Sequence, residues 1–372
     1  MKIIKIETFT DSKYIKGVSL VRITTDTGNS GWGQISPYNS DISAEVLHRQ
    51  VAPFALNEEI SDLNNLGNLL DKIYEKQHKF PGSYICRALA GLDTAIWDLH
   101  GKISMKPVCE LIGGRAKKIK TYASSMKRDI TPEKEVERFK YLRDKHGFDS
   151  FKFRIGSEVG KNQDEWDGRT EEIITKMYKA FGKDCNLLVD ANSCYEPKKA
   201  IEIGKMLIDN NIKHYEEPCP YWELDWTKEV TASLDLDVTG GEQDNNLTIF
   251  KNMIDEKIVN VVQPDILYLG GIERSLRVAK MAEAKNMVCT PHAANMSLIT
   301  IFTLHFLAGI KNAGPYLEFS IEEEDYYPWQ YGIYNDYPIV KNGYLEIVNE
   351  PGWGITPNKE WLYKSNYKVT EI

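Results

Sequence analysis

Cysteine is sparse and unclustered in this chain: Cys86, Cys109, Cys185, Cys194, Cys219 and Cys289 include no Cys-x-x-Cys pair. That spacing excludes a thiolate zinc site or a dithiol redox couple, and the apolar settings of Cys86 and Cys289 suit small buried hydrophobes. Basic residues are in deficit, with 46 Lys and Arg against 54 Asp and Glu and a formal net charge of −8, which argues against nucleic acid as a partner. No run approaches the roughly 18 apolar residues of a membrane span, and the N-terminus lacks a basic stretch leading into an apolar core. Neither a membrane partner nor a signal peptide is therefore expected, and the expected location is cytoplasmic. Low-complexity tracts and flexible linkers are missing too. What remains is a chain of 372 residues, 42% hydrophobic and 27% charged, long enough for a barrel of about 250 residues with a smaller companion unit.

Between Leu187 and His292, four short apolar runs each stop on a carboxylate. They are Leu187–Asp190, Ile212–Glu217, Leu236–Glu242 and Val259–Asp265, and a fifth, Met287–His292, stops on a histidine. Asp190, Glu216, Glu242, Asp265 and His292 follow one another at about 25 residues, the length of one strand, one helix and two loops in a parallel α/β barrel. Segments with helical periodicity, such as 197–209 and 272–285, fill the intervals. Any one of these acids alone is most simply a solvated loop residue or a helix N-cap. Their recurrence at one period instead places them together on the C-terminal rim of a barrel, where reactive groups of such folds sit. Carboxylates converging there repel one another unless a cation lies among them, and a hard divalent metal with oxygen ligands is the simplest neutraliser.

The rest of the chain fits this frame. Residues 1–36 alternate as two or three antiparallel strands, and 41–78 turn amphipathic and helical, which describes an α+β unit separate from the barrel. The segment 87–102 reads as a closely packing helix, in which Asp93, Asp98 and His100 are expected as surface or capping groups rather than a metal cluster. The barrel is expected to begin near Ile119. In its second strand, Ser150–Arg154, Lys152 and Arg154 share a face while Phe151 and Phe153 take the other. Tyr316–Ser320 supplies a last strand carrying Glu318. The expected divisions are 1–115 for the N-terminal part of a capping domain, 116–320 for the barrel and 321–372 for an aromatic-rich tail returning to the capping domain.

Taken in order, Lys152-x-Arg154, Asp190-x-Asn192, Glu216-Glu217-Pro218, Gly241-Glu242, Gln263-Pro264-Asp265, Thr290-Pro291-His292, Glu318 and the helix 90–98 resemble the enolase superfamily, specifically its mandelate racemase subgroup. The resemblance covers almost the whole chain. It implies an α/β fold, a modified (β/α)7β TIM barrel under an α+β capping domain built from the N-terminal segment and the C-terminal tail. It further implies one Mg2+ per subunit on Asp190, Glu216 and Glu242, with Glu216 preferred to Glu217. An Asp265–His292 dyad is implied, in which the carboxylate orients the imidazole. Lys152 is expected to contact a substrate carboxylate, and Glu318 to donate a hydrogen bond to the enolate side if protonated. Superfamily sites use a Lys or His base with magnesium stabilising an enediolate.

Arg154 stands where the family most often has a second lysine. A guanidinium stays charged at any working pH and is a poor base, so a racemase needing a base on each face of the α-carbon is less well equipped here than a dehydratase. The expected activity is that of a lyase: magnesium-dependent removal of the proton α to the carboxylate of a sugar acid, followed by loss of water to a 2-keto-3-deoxy acid. A racemase, epimerase or cycloisomerase is the alternative within the superfamily, and a noncatalytic carboxylate-binding barrel the alternative outside it. Asn192, Tyr14 and Trp329, with His48 and Trp222, are candidates for substrate contact. The expected partner is a small carboxylate, and homo-oligomers are common in the family.

Overall fold

The computed structural model describes residues 1–11, 13, 17–330, 332–335 and 337–372. An antiparallel sheet comes first: β1 (Ile3–Thr10), β2 (Ser19–Thr25) and β3 (Ser30–Ile35). Its apolar residues Ile3, Ile6, Val21 and Ile23 are wholly buried. The helix Ser83–Ile103 packs along β3, as its run of small residues allows. Tyr14 lies outside the described residues.

Eight parallel strands then curl into the barrel: β4 (Lys118–Ser124), β5 (Ser150–Arg154), β6 (Asn186–Asp190), β7 (His214–Glu216), β8 (Asp237–Gly240), β9 (Val261–Val262), β10 (Val288–Cys289) and β11 (Leu317–Ser320). Neighbours in sequence are neighbours in space from β4 to β10, and β11 returns beside β4. Helices follow each of the first seven strands, giving the (β/α)7β arrangement. The gap between β10 and β11 is closed by the Cys289–Ala313 bridge and by the Ala293 amide, which donates to Glu318 Oε2 at 2.8 Å. Alternation within the strands sorts the side chains. Phe151, Phe153, Val189, Tyr215 and Val238 join the apolar layer beneath the helices, leaving Lys152, Arg154, Asp190 and Glu216 for the interior.

The tail divides between the two units, and its first part differs from expectation. β12 (Tyr344–Glu346) pairs antiparallel with β4 at the foot of the barrel instead of joining the capping unit. β13 (Asn366–Glu371), a strand with exposed alternating polar residues, adds to the free edge of β1 and completes the capping sheet in the order β13-β1-β2-β3.

The acids of the helix 83–103 are not surface groups. Asp93 is wholly buried and caps the neighbouring helix Ile272–Glu283, accepting from the Ile272 and Glu273 amides at 2.5 and 3.2 Å. Asp98 accepts from the Trp32 amide of β3 at 2.7 Å, from the Trp353 amide of the tail at 2.9 Å and from Lys102 Nζ at 2.5 Å. Gly352, at φ 73°, brings the tail so close that a Cβ there would stand 2.2 Å from Asp98 Oδ1. His100, also buried, bonds the Ile60 carbonyl.

Asp98 thus ties the strand sheet, the long helix and the C-terminal tail through one carboxylate. Replacing it by alanine strands two buried amides, and the expected loss is about 2–4 kcal/mol of folding stability in urea titrations. A loss below about 0.5 kcal/mol would show that water or backbone shifts satisfy those amides.

Candidate active site

The register of the barrel builds the centre of the site. Arg154 lies opposite Asp190 across β5 and β6, and Asp190 opposite Glu216 across β6 and β7. Glu242 follows two residues after the end of β8, past Gly241, whose φ of 112° turns the chain over the rim. One ligand oxygen from each of Asp190, Glu216 and Glu242 lies within 4.8 Å of the other two, and all three residues are buried. Glu217, whose φ of 41° turns it off the strand path, stays outside this triad; burial, with Glu242 and Glu216 nearby, pushes its carboxyl well above the usual range.

Hydrogen bonds fix most of these oxygens. Asp190 accepts from the Asn192 amide through Oδ1 at 2.7 Å and from the Arg154 guanidinium through Oδ2. Glu216 accepts from Lys152 Nζ through Oε1 at 2.6 Å and from Gln263 Nε2 through Oε2 at 2.9 Å. Glu242 differs: Oε1 accepts from Gln243 Nε2, but Oε2 is buried without a hydrogen-bond partner among the described residues. Such an oxygen costs free energy unless something positive meets it. Three hard oxygen donors converging on one point, one of them still unsatisfied, suit a divalent cation such as Mg2+.

Lys152 is wholly enclosed beneath the acids, 2.6 Å from Glu216, 2.8 Å from Glu318 and 3.7 Å from Asp190. Burial opposes its charge, but Glu216 and Glu318 outweigh burial and hold the ammonium above its ordinary value. It therefore acts as an internal counter-charge and does not line the cavity. Glu318 departs from the expected donor role. Burial raises its carboxyl, yet Lys152 and His292 bring it down to about 2, and it accepts from Lys152, from Ser124 Oγ at 2.7 Å and from the Ala293 amide. In this setting Glu318 is an ionised acceptor.

His292 faces Asp265 with Nδ1 2.8 Å from Oδ2, while Nε2 lies 3.5 Å from Glu242 Oε2. Asp265 is itself fixed, because its Oδ1 accepts the Leu267 and Tyr268 amides at the start of the short helix Ile266–Leu269. Burial lowers the imidazole's proton affinity, but Glu242 and Asp265 overcome this and push its pKa up to about 10.

A cavity of about 310 Å3 opens over this centre, lined by Arg154, Asn192, Glu242 and His292 from the barrel, by Tyr38 and Arg87 from the capping unit, and by Tyr326 and Tyr327 from the segment after β11. Asn192, at φ 41°, holds its side-chain oxygen between two guanidinium groups, 2.6 Å from Arg128 Nη2 and 2.7 Å from Arg154 Nη1. Of the other candidates, Trp329, His48 and Trp222 do not line this cavity. Trp329 is buried against Tyr327, His48 bridges Thr8 and Thr370, and Trp222 is 59% exposed beside Tyr221. Sequence reasoning missed Tyr38, Arg87, Arg128, Tyr268 and the lining roles of Tyr326 and Tyr327. For the last two, the aromatic density of the tail was the available signal.

Comparison with known proteins agrees with the geometry. Residues 4–113 match the mandelate racemase/muconate lactonizing enzyme N-terminal domain, and residues 134–361 the enolase C-terminal domain-like family. Arabinonate dehydratase of Saccharolobus solfataricus is 28% identical over 93% of this chain and 91% of its own. A crystal structure from Roseobacter denitrificans, of a protein with a provisional racemase name, is 56% identical and superposes with a TM-score of 0.97 over all of both chains. A mandelate racemase/muconate lactonizing protein from Paracoccus denitrificans, solved in complex with magnesium, is 26% identical with a TM-score of 0.89 over 100% of this chain and 99% of that one. No helix among the described residues is long and apolar enough to cross a membrane. With both domain patterns matched in order and the rim acids gathered as that fold requires, the chain belongs to the mandelate racemase subgroup of the enolase superfamily.

Proposed function

We propose that the protein is a hydro-lyase that removes the proton α to the carboxylate of a sugar acid and then expels the β-hydroxyl, giving a 2-keto-3-deoxy acid. The observation that carries this reading is that, among the described residues, the cavity wall offers one base besides the metal-type acids. His292 reaches it, backed by Asp265. Lys152 is sealed among Glu216, Glu318 and Asp190, and Arg154 is a guanidinium paired with Asp190. A single base suits a reaction in which one group takes a proton and returns it to a leaving hydroxyl; inversion of a carbon centre needs a second acceptor on the other face. The dehydratase from S. solfataricus supports the same choice.

Asp190, Glu216 and Glu242 would hold one Mg2+, which when bound supplies an electrophile for the substrate carboxylate. The chain's own residues do the rest. Once the Glu242 charge that holds its proton is engaged elsewhere, neutral His292 takes the α-proton at Nε2, and Asp265, held by two backbone amides, fixes the imidazole's tautomer and stabilises its charged form. Arg154 places fixed positive charge beside the carboxylate as electron density moves onto it. His292 then gives its proton to the departing hydroxyl. Tyr38, Tyr326 and Tyr327 narrow the entrance and limit water around the carbanionic intermediate.

Magnesium should raise the thermal midpoint of the native protein, and Glu242→Gln should abolish the rise; an unchanged midpoint in the wild type would count against the cation site. Because Glu242 is the largest influence raising His292's proton affinity, cation and imidazolium compete for one carboxylate. The Kd for Mg2+ should therefore fall as pH rises from about 7 to 9, and this slope should flatten in His292→Asn.

His292→Asn should lower 2-keto acid formation by a factor of about 10² to 10⁴, read as semicarbazone absorbance over a panel of sugar acids. In deuterium oxide, wild-type protein that yields only a labelled isomer and no keto acid would overturn dehydration in favour of epimerisation. A variant that keeps both full turnover and full α-proton exchange would remove His292 from the mechanism.

A further inference from the structure

The cavity holds a positive charge that the proposed chemistry does not use. Arg87, in the first turns of the helix Ser83–Ile103, lines it from the capping unit. Its Nε donates to Ser83 Oγ at 2.8 Å, and its Nη1 donates to Ser36 Oγ and to the Pro37 carbonyl at 3.2 Å. The flat guanidinium lies 3.7 Å from the centroid of the Tyr268 ring, and that ring is 6.0 Å from the His292 imidazole. All of these partners are neutral. Nη2 has no acceptor, and no carboxylate pairs with Arg87, among the described residues.

Arg128, Arg169 and Arg274 likewise donate only to neutral acceptors, but of these four Arg87 is the one that lines the cavity, and other arginines are paired with carboxylates. Arg22 is paired with Glu7, Arg138 with Glu322 and Arg277 with Asp71, and Arg154 within the site is paired with Asp190. A half-buried guanidinium surrounded by neutral groups and stacked on an aromatic face is pre-organised to receive an anion, since its planar fork matches a carboxylate and its orientation is already fixed. The proposed reaction places one substrate carboxylate at the acid triad on the barrel floor. A second anionic group at the far end of the same molecule would meet Arg87 on the capping side. The volume of about 310 Å3 equals roughly ten waters at about 30 Å3 each, enough for a short acyclic sugar acid with a carboxylate at each end.

We propose that Arg87 forms a distal anion subsite and that the protein's preferred substrates are sugar diacids rather than monoacids. The assignment rests on the hydro-lyase reading for the position of the first carboxylate. A structural role for Arg87, pinning the Ser36–Tyr38 turn over the cavity, makes a different prediction, because that role runs through the serine hydroxyls and not through charge.

The test is the Kd of the full-length, Mg2+-loaded protein for matched aldarate and aldonate pairs of galacto, gluco, manno and arabino configuration, read by quenching of intrinsic fluorescence. The best-bound acid should be a diacid, preferred over its monoacid partner by at least about tenfold, the value of one charge-assisted hydrogen bond. Arg87→Met should erase the preference, Arg87→Lys should restore part of it, and Ser36→Ala with Ser83→Ala should leave it in place. A monoacid as best ligand, a preference that survives in Arg87→Met, or one lost equally in the double serine variant would overturn the subsite. If a monoacid binds best and is still dehydrated, the diacid assignment falls while the reaction stands. If no acid of either kind binds, both fall.

Discussion

The structure depends on a lysine that cannot leave. Lys152 sits with no solvent contact among Glu216, Glu318 and Asp190, and without it Glu216 and Glu318 would lose their nearest counter-charge in a low-dielectric barrel interior, leaving Arg154 paired with Asp190. Barrel interiors of this class are ordinarily filled by branched apolar side chains. Here the layer just under the rim is polar, with Tyr122, His214, Thr239 and Gln263 around the Lys152 ion cluster. Burying that set is costly, and apolar replacements of similar volume would fold as well or better. The cluster is therefore explained by the rim it supports: Glu216 is held at both oxygens and Glu318 at both of its own, so these two acids are fixed before anything binds.

Support from beneath is matched by support from above. The capping unit is tied to the barrel by carboxylates that do no chemistry: Asp93 caps a barrel helix, and Asp98 holds β3 and the Trp353 segment together. The chain's own end seals the arrangement, since β13 is the outer strand of the sheet begun by β1. Tyr38 and Arg87 reach the cavity from the capping unit and Tyr326 and Tyr327 from the post-barrel segment, so the mouth of the site is assembled from parts far apart in sequence.

The floor of the site was legible in the sequence and its walls were not, for a physical reason. Metal-type acids must sit at strand ends, and strand ends in a parallel barrel recur at one period, so Asp190, Glu216, Glu242, Asp265 and His292 announce themselves by spacing. Wall residues obey no such rule. Arg87 lies in the first turns of a helix whose periodicity concerns packing, and Tyr38 lies in a turn with φ 65° that only the folded chain reveals. Lys152 was placed on the correct face by strand alternation, but its depth was not, because alternation gives direction and not distance from solvent. Likewise the exposed, polar β13 carries no hydrophobic signal, since its stability comes from hydrogen bonding to an edge that already exists. Asp93 and Asp98 look like surface acids on a helical wheel until the partner amides are in view.

Arg154 shows how one substitution of residue type can redirect an inherited site. Its guanidinium spans Asp190, Asn192, the Ser125 carbonyl and Met126 Sδ, so it is fixed from several sides in a way a lysine's single nitrogen could not reproduce. That rigidity passes to Asn192, whose side-chain oxygen is shared between Arg154 and Arg128 and whose amide nitrogen is turned toward Asp190 at 3.4 Å. A lysine here would leave Asn192 with Arg128 as its one guanidinium donor and would add a titratable nitrogen to the site. The guanidinium does the reverse, giving up a base to gain a fixed charge and a fixed amide. On the hydro-lyase reading proposed above, such a site would be asymmetric about the substrate's α-carbon, with proton transfer on the His292 side and charge stabilisation from Arg154, an asymmetry that suits elimination better than inversion.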